Sequence, residues 1–427
     1  MVDCSLALGI DFGTSGIRGA VVNLKKQVLW QHRCLYPETG GGLALSWQTA
    51  LYQLLEELPG QINQGIEAIA INGTSATVLL CDAEGYPLVE PLMYNDGRGS
   101  EMLDQLRALA SVDGPAVSAT SSLAKLLWWY RNLPREIWGK AVYFLSQADW
   151  LSAQLHGQWG ISDYHNSLKL GYDVGELRFP HGLMARPWSH LLPQVIAPGR
   201  PVGLIRDAIA QQFNLPVTCQ VVAGTTDSIA AFLASGARQI GDAVTSLGST
   251  LVIKLLSQQR VEASHYGIYS HRFGDLWLVG GASNSGGAVL RHFFDTPTLA
   301  TLSQQIDPSV PSRQDYYPLL APGERFPVND PKLQPRLNPR PDDDLIFLQE
   351  LLWGIARIEA QGYHLLEELG ASRLRRVYTA GGGAQNDTWR QMRSQLLQKD
   401  IKIAAHPEAA VGSALLAVES LPSDSTA

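Results

Sequence analysis

The sequence of 427 residues has few cysteines, no run of Lys or Arg and no long apolar stretch. Its four cysteines are widely scattered, so we predict neither a disulfide framework nor a cysteine zinc site, and a reducing compartment such as the cytoplasm is expected. The net charge is −7 without a Lys/Arg cluster, which argues against nucleic acid or an anionic membrane as a partner. Without an apolar run of about 18 residues or a leader-like N-terminus, we expect neither a membrane-spanning helix nor a secretion signal.

Motifs of several enzyme classes are also missing. No Gly-x4-Gly-Lys-Ser/Thr pattern occurs, which excludes a P-loop nucleotide site. The triplet Asp11-Phe12-Gly13 is not accompanied by the His-Arg-Asp loop of protein kinases, and no His-Glu-x-x-His zinc motif is present. What is present is 45% apolar residues and 40 glycines, a composition typical of a well-packed α/β protein whose length predicts two domains.

Two stretches of the chain share one local pattern. Residues 6–22 and 242–253 each predict an apolar strand, a turn rich in Gly, Ser or Thr, and a second apolar strand. The first of these hairpins carries a single carboxylate, Asp11, near its tip. Two such hairpins imply two similar half-molecules that together bind one polyphosphate.

The turn of the first hairpin has the features of a phosphate site. Glycine at 13 and 16 permits left-handed backbone, so that the amides of Gly13, Thr14 and Ser15 can converge on an anion. Asp11 would repel a phosphate directly, but it becomes useful if it holds Mg²⁺ through water, because a hard cation prefers oxygen ligands. An ordinary hairpin whose aspartate caps the turn explains the same residues and stays open as an alternative.

The elements after this hairpin follow a recognisable order. Residues 27–36 predict a third strand, and an amphipathic helix follows with Ser46 as its N-cap and Pro59 at its end. Residues 66–71 predict the next strand. This β-β-β-α-β order is the one with which a ribonuclease-H-like domain begins. The polar loop 72–77 at the end of that strand is a place where a small ligand is expected to bind.

The rest of the chain predicts further helices, strands and one irregular region. In the first half we expect helices at 100–109, 121–130, from 146 and at 229–235, the last after a strand at 221–223. An interdomain crossover is expected at 236–242, a strand at 276–279 and a loop entering a helix at 283–290. Ten prolines between 297 and 341 predict an irregular excursion over the surface. We then expect a helix at 343–369, a strand at 374–379, a helix capped by Asp387 and a small-residue helix at 408–414.

The glycine loop at 380–387 predicts a base-binding surface. Three consecutive glycines, Gly381 to Gly383, let a flat adenine lie against bare backbone, and Asn386 can hydrogen-bond its edge or the ribose. A simple turn between strand and helix is the alternative, although one glycine suffices for it. Trp389 either shelters the base or packs in the core.

The motif Asp11-x-Gly13-Thr14-Ser15-x-x-Arg18, the segment 121–130 and the later Gly, Ser and Thr loops together resemble the FGGY family of carbohydrate kinases. The resemblance covers essentially the whole chain. It implies an α/β fold of two ribonuclease-H-like domains, of the actin-like and sugar-kinase superfamily, with a central nucleotide cleft. We place the N-terminal domain at residues 1–236 and the C-terminal domain at residues 237–427.

The resemblance also implies roles for individual residues. Asp227 becomes the catalytic base that accepts the proton of the sugar hydroxyl, with a plain helix N-cap as the alternative, since Asp commonly has that role. Asp11 and Thr14 act beside it, and Asp11 holds Mg²⁺ through water. The expected sugar contacts are Ser75, Asn95, Asp96, Asp227 and Asp11, although Asn95 and Asp96 also fit the start of a helix. The expected ATP contacts are Gly13, Thr14, Ser15, Gly248, Ser249, Gly287, Gly382, Gly383, Ala384 and Asn386, with Arg291 and, on the sugar side, Lys125 as weaker candidates.

The substrate inferred from the resemblance is a ketopentose that is phosphorylated at its terminal hydroxyl by ATP. Xylulose kinases usually carry Met-His-Gly where this chain has Ser75-Ala76-Thr77, so D-ribulose is the first expectation and D-xylulose the second. Alternatives from other classes are a sugar sensor that has lost turnover and an ATPase without a sugar substrate. We expect sugar and ATP as the ligands and a monomer or homodimer as the assembly.

Overall fold

The computed structural model describes residues 5–109 and 114–422. The chain forms two compact units, one of Met1–Ala234 with Glu408–Ala427 and one of Ser235–Pro407. The predicted boundary at residue 236 lies two residues from the observed one. The prediction that the second domain runs to residue 427 differs from these units, because the terminal helix packs on the first unit.

The helices and strands are numbered in chain order. The first unit contains β1 (Leu6–Phe12), β2 (Gly16–Asn23), β3 (Val28–Leu35), α1 (Gly42–Glu56), β4 (Ile66–Gly73), β5 (Val78–Cys81), α2 (Leu103–Leu109), α3 (Ser122–Asn132), α4 (Arg135–Trp138), β6 (Tyr143–Ser146), α5 (Gln147–His156), β7 (Ile161–Asp163), α6 (His181–Met184), β8 (Gln194–Ile196), β9 (Pro201–Leu204), α7 (Asp207–Phe213), β10 (Gln220–Val222), β11 (Thr225–Thr226) and α8 (Asp227–Ala234). The second unit contains β12 (Asp242–Leu247), β13 (Leu251–Ser257), β14 (Tyr269–Phe273), β15 (Leu276–Ser283), α9 (Gly287–Phe293), α10 (Thr296–Gln305), α11 (Asp344–Glu368), β16 (Arg376–Ala380), α12 (Asp387–Leu397) and β17 (Asp400–Ile403), after which α13 (Ala409–Val418) returns to the first.

The sheet of the first unit has the order β3-β2-β1-β4-β10-β9, with β11 also paired to β4. Strands β1, β2 and β3 are antiparallel, whereas β4 runs parallel to β1 and β10 parallel to β4. Every residue of β1 is buried, as expected for a central strand covered on both faces. This is the predicted arrangement of a ribonuclease-H-like domain, three antiparallel strands followed by parallel ones.

Helices cover both faces of this sheet. On one face α1 buries the predicted apolar positions, including Trp47, Leu51 and Leu54. On the other face α13 lies directly on the backbone of β1, and a Cβ at Gly9 would stand 2.1 Å from the carbonyl oxygen of Ala410. The small residues at the end of the chain therefore permit close packing of a helix on a strand.

A smaller layer of the first unit lies beyond the sheet. The hairpin of β5 and β6 and the helix α3 share a separate apolar cluster, which includes Leu80, Leu126 and Trp129. Ser121 caps α3 by accepting from the amide of Ala124 at 3.1 Å. This cluster supports the loops that follow β4 and β5.

The sheet of the second unit has the order β14-β15-β13-β12-β16-β17. The pairs β12–β13, β13–β15 and β15–β14 are antiparallel, whereas β16 pairs in parallel with β12 and with β17. The long helix α11 buries one face on this sheet, and Asp343 caps it as the predicted start implied. Apart from the edge strands β14 in this sheet and β9 in the first, the topology repeats that of the first unit.

The proline-rich region differs from the prediction. It contains the helix α10, and after it Tyr316, Tyr317 and Phe326 are buried in the second unit. The prolines prevent a regular ladder, but the aromatic side chains between them supply apolar area to the core. The region is therefore irregular for most of its length without being a surface excursion.

Two predicted helix caps are also wrong. The helix α1 begins at Gly42, so Ser46 lies inside it, where its hydroxyl donates to the carbonyl of Pro37 at 2.7 Å. Asn386, not Asp387, caps α12 by accepting from the amide of Trp389 at 2.9 Å. Within residues 5–109 and 114–422, no helix is both long and apolar enough to span a bilayer.

Candidate functional site

Polar side chains of the first unit gather where three neighbouring parallel strands end. The register places Asp11 of β1 beside Asn72 of β4, and Thr226 of β11 beside Gly73. Asp227 follows Thr226 as the first residue of α8. The carboxyl ends of parallel strands are where α/β sheets commonly bind ligands. The topology thus brings the predicted Asp11 and Asp227 to the same edge of one sheet.

The carboxylate of Asp11 is buried and lies in a charged environment. Arg18 of β2 donates to its Oδ2 at 3.1 Å and also pairs with Glu408 at 3.0 Å. Burial and the negative charge of Asp227 raise the pKa of Asp11 to about 6, against the lowering effect of Arg18. The two carboxylates are therefore close enough to repel each other, an arrangement that a bound cation would relieve.

Asp227 is a helical residue and not the N-cap of α8. The amide of the next residue, Ser228, donates to its Oδ1 at 2.6 Å. The hydroxyl of Thr226, at the preceding position, is buried and has no hydrogen-bond partner within the described structure. The N-cap alternative therefore does not account for either side chain.

The turn of the first hairpin differs from the expected amide nest. The amide of Gly13 donates to the carbonyl of Gly16 at 3.0 Å, so it is not free to bind an anion, and neither glycine has left-handed backbone. Gly16 is required for a different reason, because a Cβ there would lie 2.4 Å from the carbonyl oxygen of Cys34. Thr14 and Ser15 are exposed at the tip. The amides and hydroxyls of these two residues remain as the groups that can meet a phosphate.

The loop after β4 is held by its own side chains. The hydroxyls of Thr74 and Thr77 lie 2.5 Å apart, and Oε1 of Gln147 accepts from the amide of Thr74 at 3.2 Å. Ser75 lies at the loop tip and is partly exposed. Ala76 has left-handed backbone with φ of 68°. Within this loop Ser75 is thus the side chain presented outward.

The segment with Asn95 and Asp96 lies against this loop. The amide of Tyr94 donates to Oγ1 of Thr77 at 3.0 Å. Arg98 holds the carboxylate of Asp96 through its Nε at 2.8 and 3.0 Å, and Asn95 is exposed. Partial burial opposes ionisation of Asp96, but the hydrogen bonds and charge of Arg98 keep its pKa below the ordinary value. Both residues precede the helical turn that starts at Arg98, so they belong to the loop and not to α2.

Two side chains at this edge were not predicted. Asn72 is fully buried, and although its Nδ2 donates to Ser413 at 2.8 Å, its Oδ1 has no partner within the described structure. Thr226 is the other. Thr226 directly precedes Asp227, and Asn72 lies within the polar stretch 72–77 that the sequence did indicate, but their burial depends on strand pairing, which the sequence pattern does not reveal.

In the second unit, a cavity of about 540 Å³ collects most of the predicted nucleotide contacts. Its lining includes Gly248, Ser249, Gly287, Gly382, Gly383 and Asn386, together with Arg291. Ala384 is buried and is not among the lining residues. The volume is within the range of small-molecule sites, about 300 to 1,000 Å³.

Backbone contacts build the floor of this cavity. The amide of Gly287 donates to the carbonyl of Gly248 at 2.9 Å, and the amide of Ala288 donates to that of Ser249 at 3.0 Å. Arg291 donates to the hydroxyl of Ser249 at 2.9 Å. These hydrogen bonds therefore fix the turn of the second hairpin against the start of α9.

Two candidates of the glycine loop have structural partners. Both ends of the Asn386 amide are engaged, the oxygen with Trp389 and the nitrogen with Ser303 of α10 at 2.8 Å. Trp389 is 1% exposed and donates from its Nε1 to the carbonyl of Leu352 at 3.0 Å, which favours the core alternative. Asn386 thus acts on the pocket by fixing α10. That helix forms one wall of the pocket, and it was not predicted because it lies in the proline-rich region.

A metal ion would find few protein ligands here. Among residues 5–109 and 114–422, no group of three or more His, Cys, Asp or Glu side chains is positioned to hold one. Asp11 and Asp227 nevertheless offer two carboxylates at one edge. Mg²⁺ is commonly held by one or two carboxylates with phosphate oxygens and water, so these residues fit a phosphate-bound Mg²⁺.

Known proteins resemble the chain over nearly all of its length. The model of the FGGY family of carbohydrate kinases matches its N-terminal domain to residues 6–234 and its C-terminal domain to residues 243–421. A xylulose kinase of Bacillus subtilis is 24% identical over 96% of this chain and 87% of its own, and one of Escherichia coli is 24% identical over 96% and 89%. The crystal structure of a xylulose kinase from Rhodospirillum rubrum superposes with a TM-score of 0.85 at 21% identity, over 98% of this chain and 90% of its own.

Both halves of the family model match in order, and the fold repeats that of the solved structure. The two-domain α/β architecture inferred from the sequence is thereby confirmed. The chain belongs to the FGGY family of carbohydrate kinases.

Proposed function

We propose that this carbohydrate kinase transfers the γ-phosphoryl group of ATP to the terminal hydroxyl of a ketopentose, with D-xylulose as the preferred substrate. The names of its relatives support D-xylulose over D-ribulose, since xylulose kinases match nearly the whole chain. D-Ribulose, the first expectation from the sequence, becomes the second candidate. It is retained because the loop at Ser75 lacks the histidine usual in xylulose kinases.

The placement of Asp11 and Asp227 at one edge of the sheet, where their charges interact, carries this proposal. In the proposed reaction Asp227 orients the sugar hydroxyl and accepts its proton as the oxygen attacks phosphorus. Asp11 holds Mg²⁺ through water, and Mg²⁺, when bound, neutralises charge on the phosphoryl oxygens. Ser75, Asn95 and Asp96 bind sugar hydroxyls.

The second unit binds the nucleotide in this proposal. Adenine lies on Gly382 and Gly383, and the phosphates meet Gly248, Ser249 and Gly287. Thr14 and Ser15 of the first hairpin donate to the transferred group, replacing the amide of Gly13, which is already bonded. The glycines among the lining residues of the cavity are consistent with a base held by shape and backbone contact.

The test is ADP release by the purified protein with ATP and Mg²⁺ and one sugar at a time. The panel holds D-xylulose, D-ribulose, their L-enantiomers, glycerol and a sample without sugar. We expect the highest kcat/KM with D-xylulose. Asp227→Ala should lower kcat by roughly 10²- to 10⁴-fold, as expected for loss of a general base.

Ser228→Ala, at the adjacent exposed position, is the control and should retain activity. A preference for D-ribulose would reverse the order of the two candidates. ATP hydrolysis that is equal with and without sugar would contradict the kinase proposal, as would full activity of the Asp227 variant.

A further inference from the structure

Lys125 is a buried cation in the first unit. It lies on α3 among the apolar residues of the smaller layer, and its side chain has 0% exposure. Its Nζ donates to two backbone carbonyls, those of Ala76 and Met93, each at 2.7 Å. A buried ammonium needs such partners, because desolvation of an unpaired charge is costly.

The two carbonyls belong to the two segments that carry the proposed sugar contacts. Ala76 directly follows Ser75 in the loop after β4, and Met93 precedes Asn95 and Asp96. The backbone hydrogen bonds between Val78 and Leu92, and the hydroxyl of Thr77, also join these segments. Lys125 is thus the side chain of a third element that holds both.

The backbone at one of these carbonyls is strained. Ala76 has φ of 68°, a left-handed conformation that non-glycine residues seldom adopt and that persists only when surrounding contacts fix it. The hydrogen bond from Lys125 is one such contact. Loss of this bond therefore removes a restraint from the residue next to Ser75.

Burial and the neighbouring charge of Asp96 act in opposite directions on the pKa of Lys125. Burial lowers its pKa to about 7, the charge of Asp96 opposes that shift, and Lys169 and Arg98 add to it. An apolar side chain of similar length would fill the same space without this cost. A lysine at this position is therefore better explained by what its amine holds than by packing alone.

We propose that Lys125 is a positioning residue for the sugar, which sets the distance between Ser75 and the Asn95-Asp96 segment by holding the carbonyls of Ala76 and Met93. The inference rests on the proposed function for the sugar contacts. It does not require Lys125 to touch the substrate.

The test compares Lys125→Met with Leu127→Met, a matched change on the same helix at a residue that is 4% exposed. In Lys125→Met we expect the sugar KM to rise about tenfold or more, while kcat at saturating sugar and the KM for ATP change little, because binding geometry and not chemistry is disturbed. Leu127→Met, a volume-conserving core change, should leave all three constants near wild type.

Hydrogen exchange supplies a readout that does not depend on turnover. Amides of residues 75–78 and 93–96 should exchange faster in Lys125→Met than in wild type, whereas those of β1 should not change. If Lys125→Met does not fold, Lys125→Gln takes its place, since its shorter amide cannot reach both carbonyls. An unchanged sugar KM in a folded variant would overturn the proposal whether or not exchange changes, as would an equal loss in Leu127→Met.

The two proposals fail in different ways. Absence of sugar-dependent turnover in the wild type would reject the proposed function, and faster exchange in the variant would still establish that Lys125 holds the two segments. A wild type that turns over sugar, with a Lys125 variant of unaltered KM, would reject the positioning role alone.

Discussion

The two hairpins of this protein share one design and differ at a chemically decisive position. In each unit the first strand is central, antiparallel to the next strand and parallel to a later one. The residue before the end of that strand is Asp11 in the first hairpin, opposite Arg18, and Ser246 in the second, opposite Val252. The shared topology supplies two polar turns, and a single carboxylate distinguishes the one proposed for catalysis.

Buried acids show the same contrast between the units. In the second unit Glu359 meets Arg393 at 2.6 and 2.7 Å and also accepts from Thr245, so its charge is matched. In the first unit Asp11 keeps a raised pKa in spite of Arg18. Asp149 is another acid of the first unit whose burial raises its pKa. Arg393 thus compensates the buried charge of Glu359, whereas Arg18 does not fully compensate that of Asp11.

The largest effect on stability is expected from breaking the matched pair. Arg393→Met leaves Glu359 buried without its partner and should lower the free energy of unfolding by about 3 to 5 kcal/mol. The measurement is urea unfolding followed by tryptophan fluorescence. Arg390→Met, which removes an exposed ion pair with Asp387 on the same helix, should cost at most about 1 kcal/mol. Equal losses in the two variants would remove the distinction between matched and unmatched charge.

The hairpin comparison is tested at Asp11. Asp11→Asn should lower kcat roughly 100-fold, because a charge that organises the phosphoryl group is lost. Its folded-state pKa of about 6 lies above the ordinary 3.8, so ionisation opposes folding, fully above pH 6 and not at all below about 4. The variant should therefore gain stability on the order of 1 kcal/mol at pH 8 and gain none near pH 4.

Ser246→Ala at the equivalent position of the second hairpin is the control for Asp11→Asn. It should leave kcat near wild type and show no such dependence of stability on pH. A loss of kcat as large as that of Asp11→Asn would mean that the two turns contribute alike, against the contrast drawn above.

Short sequence patterns correctly predicted those helices and hairpins whose formation depends on neighbouring residues. Both hairpins, the buried face of α1 and the helix that starts after Asp343 follow from apolar periodicity and turn or capping residues. Helix α10 was not predicted, because the many prolines that follow it indicated an irregular region. Its start nevertheless has two helix signals, the cap Asp295 and a proline in the first turn. The sequence contained those signals.

Site residues that adjoin a strand end could be predicted from the sequence. Roles that depend on tertiary contacts could not. Asp11 and Asp227 stand at predicted strand ends, and strand pairing brings them to one edge. Lys125 reaches carbonyls 49 and 32 residues away, a relation that no local pattern contains. Asn386 was assigned to the base, but the structure engages both ends of its amide.

The smallest effect is expected at Asp149 in the first turn of α5. Burial, followed by the charge of Asp163, raises the pKa of Asp149, while Ser146 donates its amide to the same carboxylate at 3.2 Å. A raised folded-state pKa means that the acid favours folding while protonated and opposes it once ionised. Asp149→Asn, which keeps an oxygen for the Ser146 amide, should match wild type near pH 4 and exceed its stability by ~1 kcal/mol at pH 8. Asp207→Asn, in the exposed first turn of α7, should show no such divergence. If Asp149→Asn is instead less stable at every pH, the carboxylate is a needed hydrogen-bond acceptor, and Asp149 is not an example of uncompensated charge in the first unit.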